Sequence, residues 1–253
     1  MRKGFTLVEV MITLGVIGVV AAVTLPVLNQ KIKEARTVNR LKQVYSTLSQ
    51  AYTRAVQEHG TPDNWELIGY NSPEGSNNLM AKLTPYLKVI QVCNAGETGC
   101  FQEDVSYVGL NGKYNAGKYF SASTKASIAR LVNGAFIRTF IYSPNCTTNF
   151  GTSTQLQNGC GQISIDINGF AGPNQYGVDT FWVYVTKYGL VPFGSAVDTS
   201  GFKFSSNCKD KSIGFVGSWS VNGMGCAAWV LYNENMDYLH CKDLSWTGKK
   251  RCK

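Results

Sequence analysis

Residues 1–30 read MRKGFTLVEVMITLGVIGVVAAVTLPVLNQ, and the organisation of the whole chain follows from them. An apolar run extends from Phe5 to Leu28 and carries a single charge, Glu9. As a helix, these positions would span about 36 Å, which is enough to cross a bilayer core of roughly 30 Å. The run therefore predicts a membrane-spanning helix.

Glu9 is the unusual residue of this run. A carboxylate inside a membrane helix costs about 3 kcal/mol on insertion scales, so such groups are kept where they have a partner. The run contains no cation, but a cut after Gly4 would create a free amine on Phe5, one helical turn from Glu9. Such a cut would give Glu9 the cationic partner that the run itself lacks.

The string KGFTLVE, residues 3–9, resembles the class III signal of type IV pilins and type II secretion pseudopilins. The resemblance implies that a prepilin peptidase cuts after Gly4 and that Phe5 is then methylated. It also implies that Glu9 neutralises an N-terminal amine, its own or a neighbour's, during filament assembly.

Gly18 and Pro26 occupy the places where pilins of this family carry helix-loosening residues. Glycine weakens a helix through backbone entropy, and proline through a lost hydrogen bond and a ring clash. An ordinary secretory signal is the alternative, but its apolar region would be about 7 to 15 residues long and would end in a small-residue cleavage site.

The length of the chain leaves room for one large domain or two small ones. The chain has 253 residues, 44% of them hydrophobic, which permits a substantial core. Its net charge of +8 falls to +6 when Arg2 and Lys3 are removed with the leader. Most basic residues are scattered, a pattern more typical of solubility than of nucleic-acid binding.

The cysteines and the flanking charges disagree about orientation. Basic residues follow the apolar run, and by charge alone they would place the C-terminal side in the cytoplasm. All eight cysteines lie beyond the run in a polar region, which favours disulfides in an oxidising compartment. We therefore expect an inner-membrane anchor with the head in the periplasm or at the cell surface.

The eight cysteines allow many disulfide connectivities. Pairing of sequence neighbours is the simplest of them: Cys93–Cys100, Cys146–Cys160, Cys208–Cys226 and Cys241–Cys252.

Beyond the apolar run the pattern becomes amphipathic. Apolar residues recur at steps of three or four, which predicts one stripe along a helix: Leu28, Ile32, Ala35, Val38, Leu41, Tyr45, Leu48, Tyr52 and Ala55. The prediction is an α+β protein with a leader over 1–4, a long helix over 5–57 that is transmembrane over 5–28, and a disulfide-bonded, antiparallel β-sheet head over 58–253.

Within the head, the local patterns predict one further helix and several strands. Asn133-Gly134 suits a tight hairpin turn with positive φ. Ala227 to Tyr232 is a strand or a helical turn, between which periodicity does not decide. The remaining assignments are a loop over Gly69 to Gly75, a helix over Asn77 to Val89, strands over Ile128 to Val132, Ala135 to Tyr142, Ile163 to Ile167 and Thr180 to Thr186, and loops over Phe202 to Gly225.

The segment from Asp166 to Phe181 is the most suggestive part of the head, and it resembles a stretch of pilin-like heads. Asp166, Asn168, Asn174 and Asp179 present oxygens around glycine turns, as a hard cation such as calcium requires. The alternative is that these side chains accept local turn bonds from backbone amides. Zinc is disfavoured because no cysteine pair has C-x-x-C spacing.

The sequence offers little support for catalysis. A nucleophile needs a base within hydrogen-bond reach, and His240, beside Cys241, is the one conceivable base. Its more ordinary role is that of an exposed residue next to a disulfide. Four tryptophans of the C-terminal third would bind sugar or DNA if exposed, or fill the core if buried: Trp182, Trp219, Trp229 and Trp246.

These observations predict a structural filament subunit, a major pilin, minor pilin or pseudopilin, and not an enzyme. The expected partners are other pilin subunits, the prepilin peptidase and the filament assembly platform protein. The alternative is a pilus-tip minor pilin that acts as an adhesin or DNA-uptake receptor, for which a glycan or nucleic acid would be the ligand.

Overall fold

The computed structural model describes residues 4, 6–101, 104–120, 124–217 and 220–252 of the chain. In chain order its elements are α1 (Leu7–His59), α2 (Pro73–Leu83), β1 (Val89–Cys93), β2 (Tyr107–Val108), β3 (Asn115–Gly117), β4 (Ile128–Leu131), β5 (Phe136–Ile141), β6 (Gly159–Asp166), β7 (Thr180–Thr186), β8 (Gly189–Pro192), α3 (Phe204–Asn207), β9 (Phe215–Gly217), β10 (Ser220–Val221) and α4 (Ala227–Asn233). Phe5 and Trp219 lie outside the described residues.

Helix α1 is one continuous helix of 53 residues that runs through Pro26. It ends where Gly60, with φ of 74°, turns the chain and donates its amide to the Val56 carbonyl at 3.0 Å. The predicted long helix packed on an antiparallel sheet is confirmed, and the fold is α+β.

The apolar stripe of α1 packs on the head over part of its predicted length. Packing begins at Val38, and the side chains of Leu28 and Ile32 remain 53% and 39% exposed. The head therefore covers the stripe from Val38 onward and leaves these first positions exposed. The buried positions of α1 are Val38, Leu41, Val44, Leu48, Ala51, Tyr52 and Ala55.

The head is built on a six-stranded antiparallel sheet of order β1-β4-β5-β6-β7-β8. Alternate residues of β7 enter two cores: Phe181, Val183 and Val185 face the core that includes α1, and Trp182 and Tyr184 face an aromatic core on the other side. Every residue of β6 and β7 is buried, because both faces of the sheet are covered.

Several local predictions hold, and others need correction. The hairpin of β4 and β5 turns at Asn133-Gly134, where Gly134 has φ of 86°, and β7 has the predicted bounds. The helix predicted over Asn77 to Val89 instead begins at Pro73, after an N-cap at Ser72, and ends at Leu83. A short 3-10 turn follows it, and of the predicted range only Val89 belongs to β1. The ambiguous Ala227 to Tyr232 segment is helical.

Four disulfides join cysteines that are neighbours in sequence: Cys93–Cys100, Cys146–Cys160, Cys208–Cys226 and Cys241–Cys252. These are the pairs that nearest-neighbour pairing predicts. Each bridge closes a loop with a separation of 7 to 18 residues. They therefore constrain local loops of the head rather than linking α1 to the sheet.

Candidate functional site

The N-terminal half of α1 stands free of the head. The helix contains an apolar window with a mean hydropathy of 2.4, none of which is buried within the chain. An apolar surface of this size needs lipid or another protein to cover it. This half of α1 is therefore an interaction surface, and α1 is long and apolar enough to cross a membrane.

Glu9 caps its own helix in the single chain. Its Oε2 accepts the backbone amide of Thr6 at 2.9 Å and the Thr6 hydroxyl at 2.9 Å. In return, Thr6 Oγ1 accepts the Glu9 amide at 3.2 Å, which completes a capping box. The carboxylate thus lies against Thr6, the residue that follows the predicted N-terminal Phe5.

The helix-loosening residues lie in the exposed half of α1. An added Cβ at Gly18 would have no described atom of another part of the chain within 4 Å, and Pro26 lies inside the helix without ending it. The threonine hydroxyls of this half are satisfied internally, since Thr13 donates to the Val10 carbonyl and Thr24 to the Val20 carbonyl, each at 2.9 Å. No packing within the described chain therefore explains the glycine.

Polar contacts fix the second half of α1 to the head. The hydroxyls of Tyr45 and Tyr52 donate to the carbonyls of Leu190 and Thr186 at 2.9 and 2.7 Å. These bonds occupy carbonyls at the β8 edge of the sheet. Two side chains of α1 are therefore hydrogen-bonded directly to the β7–β8 hairpin.

His240 faces this helix. Its Nε2 lies 2.8 Å from Glu34 Oε1, and the adjacent Cys241 is held in the disulfide with Cys252. The sequence-predicted candidate for a base thus meets a carboxylate of α1. This contact attaches the C-terminal segment to the helix near the point where the helix leaves the head.

The four predicted calcium ligands come together in one loop after β6. Asp166 Oδ1 accepts the amides of Asn168 and Gly169 at 3.1 and 2.7 Å, and its Oδ2 accepts the Tyr107 hydroxyl at 2.6 Å. Asp179 similarly accepts the amide of Asn174 at 2.8 Å. The carboxylates therefore make the local turn bonds that the sequence offers as the alternative to metal binding.

Calcium binding at this loop stays a prediction. The amide oxygens of Asn168 and Asn174 are buried without a hydrogen-bond partner, whereas the carboxylates of Asp166 and Asp179 already accept donors. If the loop binds calcium, about 1 mM calcium should raise the Tm of the full chain in detergent, because only the folded loop gathers these oxygens. An unchanged Tm, with magnesium as the control, would contradict the prediction.

The buried carboxylates make the stability of the head depend on pH. Burial, followed by the negative charge of Asp179, raises the pKa of Asp166 from 3.8 to about 7. The folded chain therefore binds more protons than the unfolded chain between these values, and stability falls as the pH rises through that window. One such proton changes the free energy of unfolding by at most about 1.4 kcal/mol per pH unit.

We expect Asp166→Asn to flatten this dependence. The new amide keeps one oxygen for the amides of Asn168 and Gly169, and the Tyr107 hydroxyl has a lone pair for the new donor. Urea unfolding of both chains across this pH range measures the two slopes. Equal slopes would show that Asp166 is not the titrating group; burial also raises the pKa of Asp179, so a smaller slope should remain.

The tryptophans within the described residues belong to the core. Trp182 and Trp229 have no exposed surface, and Trp229 stacks on Phe204 with ring centroids 4.3 Å apart. Trp246 packs against Trp229 at 5.2 Å. These rings pack against other aromatic side chains of the core, so they do not form a stacking surface for sugar or DNA.

Family comparisons agree with the two parts of this architecture. Residues 1–25 match the model of the prokaryotic N-terminal methylation motif, the signal of type IV pilins and pseudopilins. Residues 27–212, most of the chain, match the model of a family of unknown function (DUF6613). The chain belongs to this DUF6613 family. No curated protein and no solved structure matches this chain.

The two matches meet within α1. The methylation motif covers the exposed half of the helix and identifies a pilin-like or pseudopilin-like precursor, a structural class of protein. The DUF6613 match covers the packed half, the six-stranded sheet and the Asp166 to Asp179 loop, and it ends before α4.

Sequence reasoning missed one role of Glu9 in this DUF6613 member. The capping box was readable as Thr6-x-x-Glu9 immediately before an apolar run. The amide and hydroxyl of Thr6 are uncharged donors, so they do not appear among the cations that could pair with the carboxylate. Glu9 therefore has an intrachain partner before any filament forms.

Proposed function

We propose that this protein is a structural subunit of a type IV pilus or type II secretion-like filament. The observation that supports the proposal most strongly is the exposed apolar half of α1, preceded by the N-terminal methylation motif and continuous with a helix packed on the head. In the membrane, lipid covers this half. In the filament, the same half of neighbouring subunits replaces the lipid.

The proposed sequence of events begins at the inner membrane with the head in the periplasm. A prepilin peptidase removes residues 1–4 and methylates Phe5, and the assembly platform then transfers the subunit into a helical bundle with other major or minor pilins. Transfer from lipid to a helix bundle conserves apolar burial, so association depends on packing and on polar pairs. Glu9 is the polar group available for such a pair.

Processing gives the first test of this function. We expect Gly4→Ala to block removal of the leader, because the resemblance places the peptidase cut directly after this glycine. An added Cβ at Gly4 would meet no described atom within 4 Å, so the substitution should leave the fold intact. Intact-mass spectrometry of the membrane fraction should show residues 1–4 retained in full.

Gly18→Ala is the matched control for this experiment. It makes the same substitution at another glycine with open space around it, but at a position inside α1 and away from the proposed cut. The Gly18→Ala chain should lose its leader normally. A fully processed Gly4→Ala chain would contradict the proposed cleavage site.

A further inference from the structure

Three basic residues form an exposed stripe on α1, just beyond its apolar half. Lys33, Arg36 and Arg40 lie within about 60° of one another around the helix. All three are exposed, and none forms an ion pair within the described part of the chain. Lys42, by contrast, pairs with Glu234 at 2.6 Å. The stripe is thus an uncompensated concentration of positive charge.

The stripe forms one wall of a groove of about 580 Å³. The other wall is the loop after β6, which contributes apolar side chains and one carboxylate, Asp179. Asp179 is buried, and each of its two oxygens already accepts a backbone amide, from Asn174 at 2.8 Å and from Gln175 at 2.6 Å. The apolar side chains of this wall are Ile167, Pro173 and Val178.

The groove lies at the height of the membrane surface when α1 is embedded. Lys33 follows the last residue of the apolar run, Leu28, by about 7.5 Å along the helix, and Arg40 follows it by about 18 Å. The headgroup layer occupies roughly 5 to 8 Å on each side of the hydrocarbon core. Lys33 therefore lies at this layer, Arg36 lies about 4 Å beyond it, and Arg40 about 10 Å beyond it, toward the head.

The groove on the opposite side of α1 has a different charge. It holds about 620 Å³ and includes Lys31 and Arg251, but also the carboxylates of Glu34 and Asp237. Its cations and anions therefore offset one another. The net positive potential at the membrane-proximal end of the head is on the side of the stripe.

Placing the stripe on the translocated side of the membrane opposes the usual distribution of basic residues around a membrane helix. A favourable interaction of the stripe on that side would offset this unusual placement of its positive charges. Arginine forks and lysine ammonium groups bind phosphate oxygens through charge-assisted hydrogen bonds. We propose that the groove binds the phosphate of an anionic phospholipid headgroup in the leaflet next to the head. This inference rests on the proposed membrane-anchored state of the subunit.

Native mass spectrometry of the full mature chain tests this proposal. The chain is released from nanodiscs that contain equal amounts of phosphatidylglycerol and phosphatidylcholine, and the retained lipids are counted. A basic residue near an anionic surface gains roughly fivefold in affinity, so the wild-type chain should retain phosphatidylglycerol with at least about tenfold preference. The triple variant Lys33→Gln, Arg36→Gln, Arg40→Gln should reduce that preference to about twofold or less.

The control variant is Arg54→Gln, Lys88→Gln, Lys113→Gln, which removes the same charge from exposed positions outside the groove. It should keep the wild-type preference. Equal retention of both lipids by the wild type, or an undiminished preference in the groove variant, would overturn the proposal. Loss of filaments by the groove variant with its lipid preference intact would also overturn it, and would assign the stripe to a subunit contact.

Vesicle flotation separates this inference from the proposed function. A wild-type chain that does not float with vesicles would refute membrane anchoring, and with it the proposed function. A chain that floats but shows no preference for phosphatidylglycerol would refute the lipid site alone.

Discussion

Glu9→Val should abolish filament assembly while leaving the chain processed and inserted in the membrane. Valine suits the lipid-exposed helix, so anchoring is retained, but the positive amine of Phe5 then has no anion to meet when neighbouring helices bury it. An unpaired buried charge costs about 3–5 kcal/mol, which corresponds to a loss of at least about 100-fold in association. Electron microscopy and a shear-fraction immunoblot measure the filaments.

Glu9→Gln distinguishes the role of the negative charge from the role of the side chain in the helix cap. Glutamine at this position still accepts the Thr6 amide and so preserves the capping box seen in the single chain. It carries no charge to neutralise an amine. We therefore expect Glu9→Gln to fail in assembly nearly as completely as Glu9→Val, although its helix start remains intact.

The two variants distinguish the roles of this residue. If Glu9→Gln assembled normally and Glu9→Val did not, the carboxylate would act through the cap, and the charge-pairing argument would be wrong. If both variants formed filaments at wild-type levels, Glu9 would have no role in assembly. Intact-mass spectrometry confirms in each case that residues 1–4 are removed.

Sequence reasoning succeeded where the deciding interaction is local. The long helix follows from an apolar run joined to an amphipathic repeat, and the hairpin follows from Asn133-Gly134, since Gly134 has φ of 86°. Strand β7 was recognisable because a run of β-branched and aromatic residues in one segment is typical of a buried strand. These signals do not require knowledge of distant residues.

Predictions failed where tertiary contacts decide the structure. Strand β8 was missed because its residues, Gly189–Pro192, pair with β7, and two of the four are Gly and Pro. The start of α2 is an exception, because its signals are local: Ser72 accepts the Gly75 amide at 3.1 Å, and Pro73 stands at the first helical position, where proline is favoured. The helix prediction from Asn77 does not use these signals.

The candidate site shows the same division. The residues of the Asp166 to Asp179 loop and their local amide donors follow from the sequence, but the Tyr107 hydroxyl does not, because Tyr107 is 59 positions from Asp166. Recognising the basic groove also requires the folded structure, since its two walls, at Arg36 and Pro173, are far apart in the chain. The sequence therefore shows the basic residues after the apolar run, which form one wall of the groove, but not the wall that they face.

The second large effect is expected at a residue of α1 that the head covers completely. Leu48 has no exposed surface and lies in the core that joins α1 to β6 and β7. Leu48→Ala should destabilise the head by about 2–5 kcal/mol and lower its Tm by roughly 10 °C, because a cavity replaces the lost methyl groups. Circular dichroism of the full chain in detergent micelles measures this change.

Leu28→Ala makes the same substitution on the same predicted stripe, but Leu28 is 53% exposed. It removes no contact with the head, so the free energy of unfolding should change by less than about 0.5 kcal/mol. Similar losses in both variants would mean that the head covers α1 back to Leu28 in the membrane-bound protein. The exposed half of the helix would then be too short to serve as the proposed filament core.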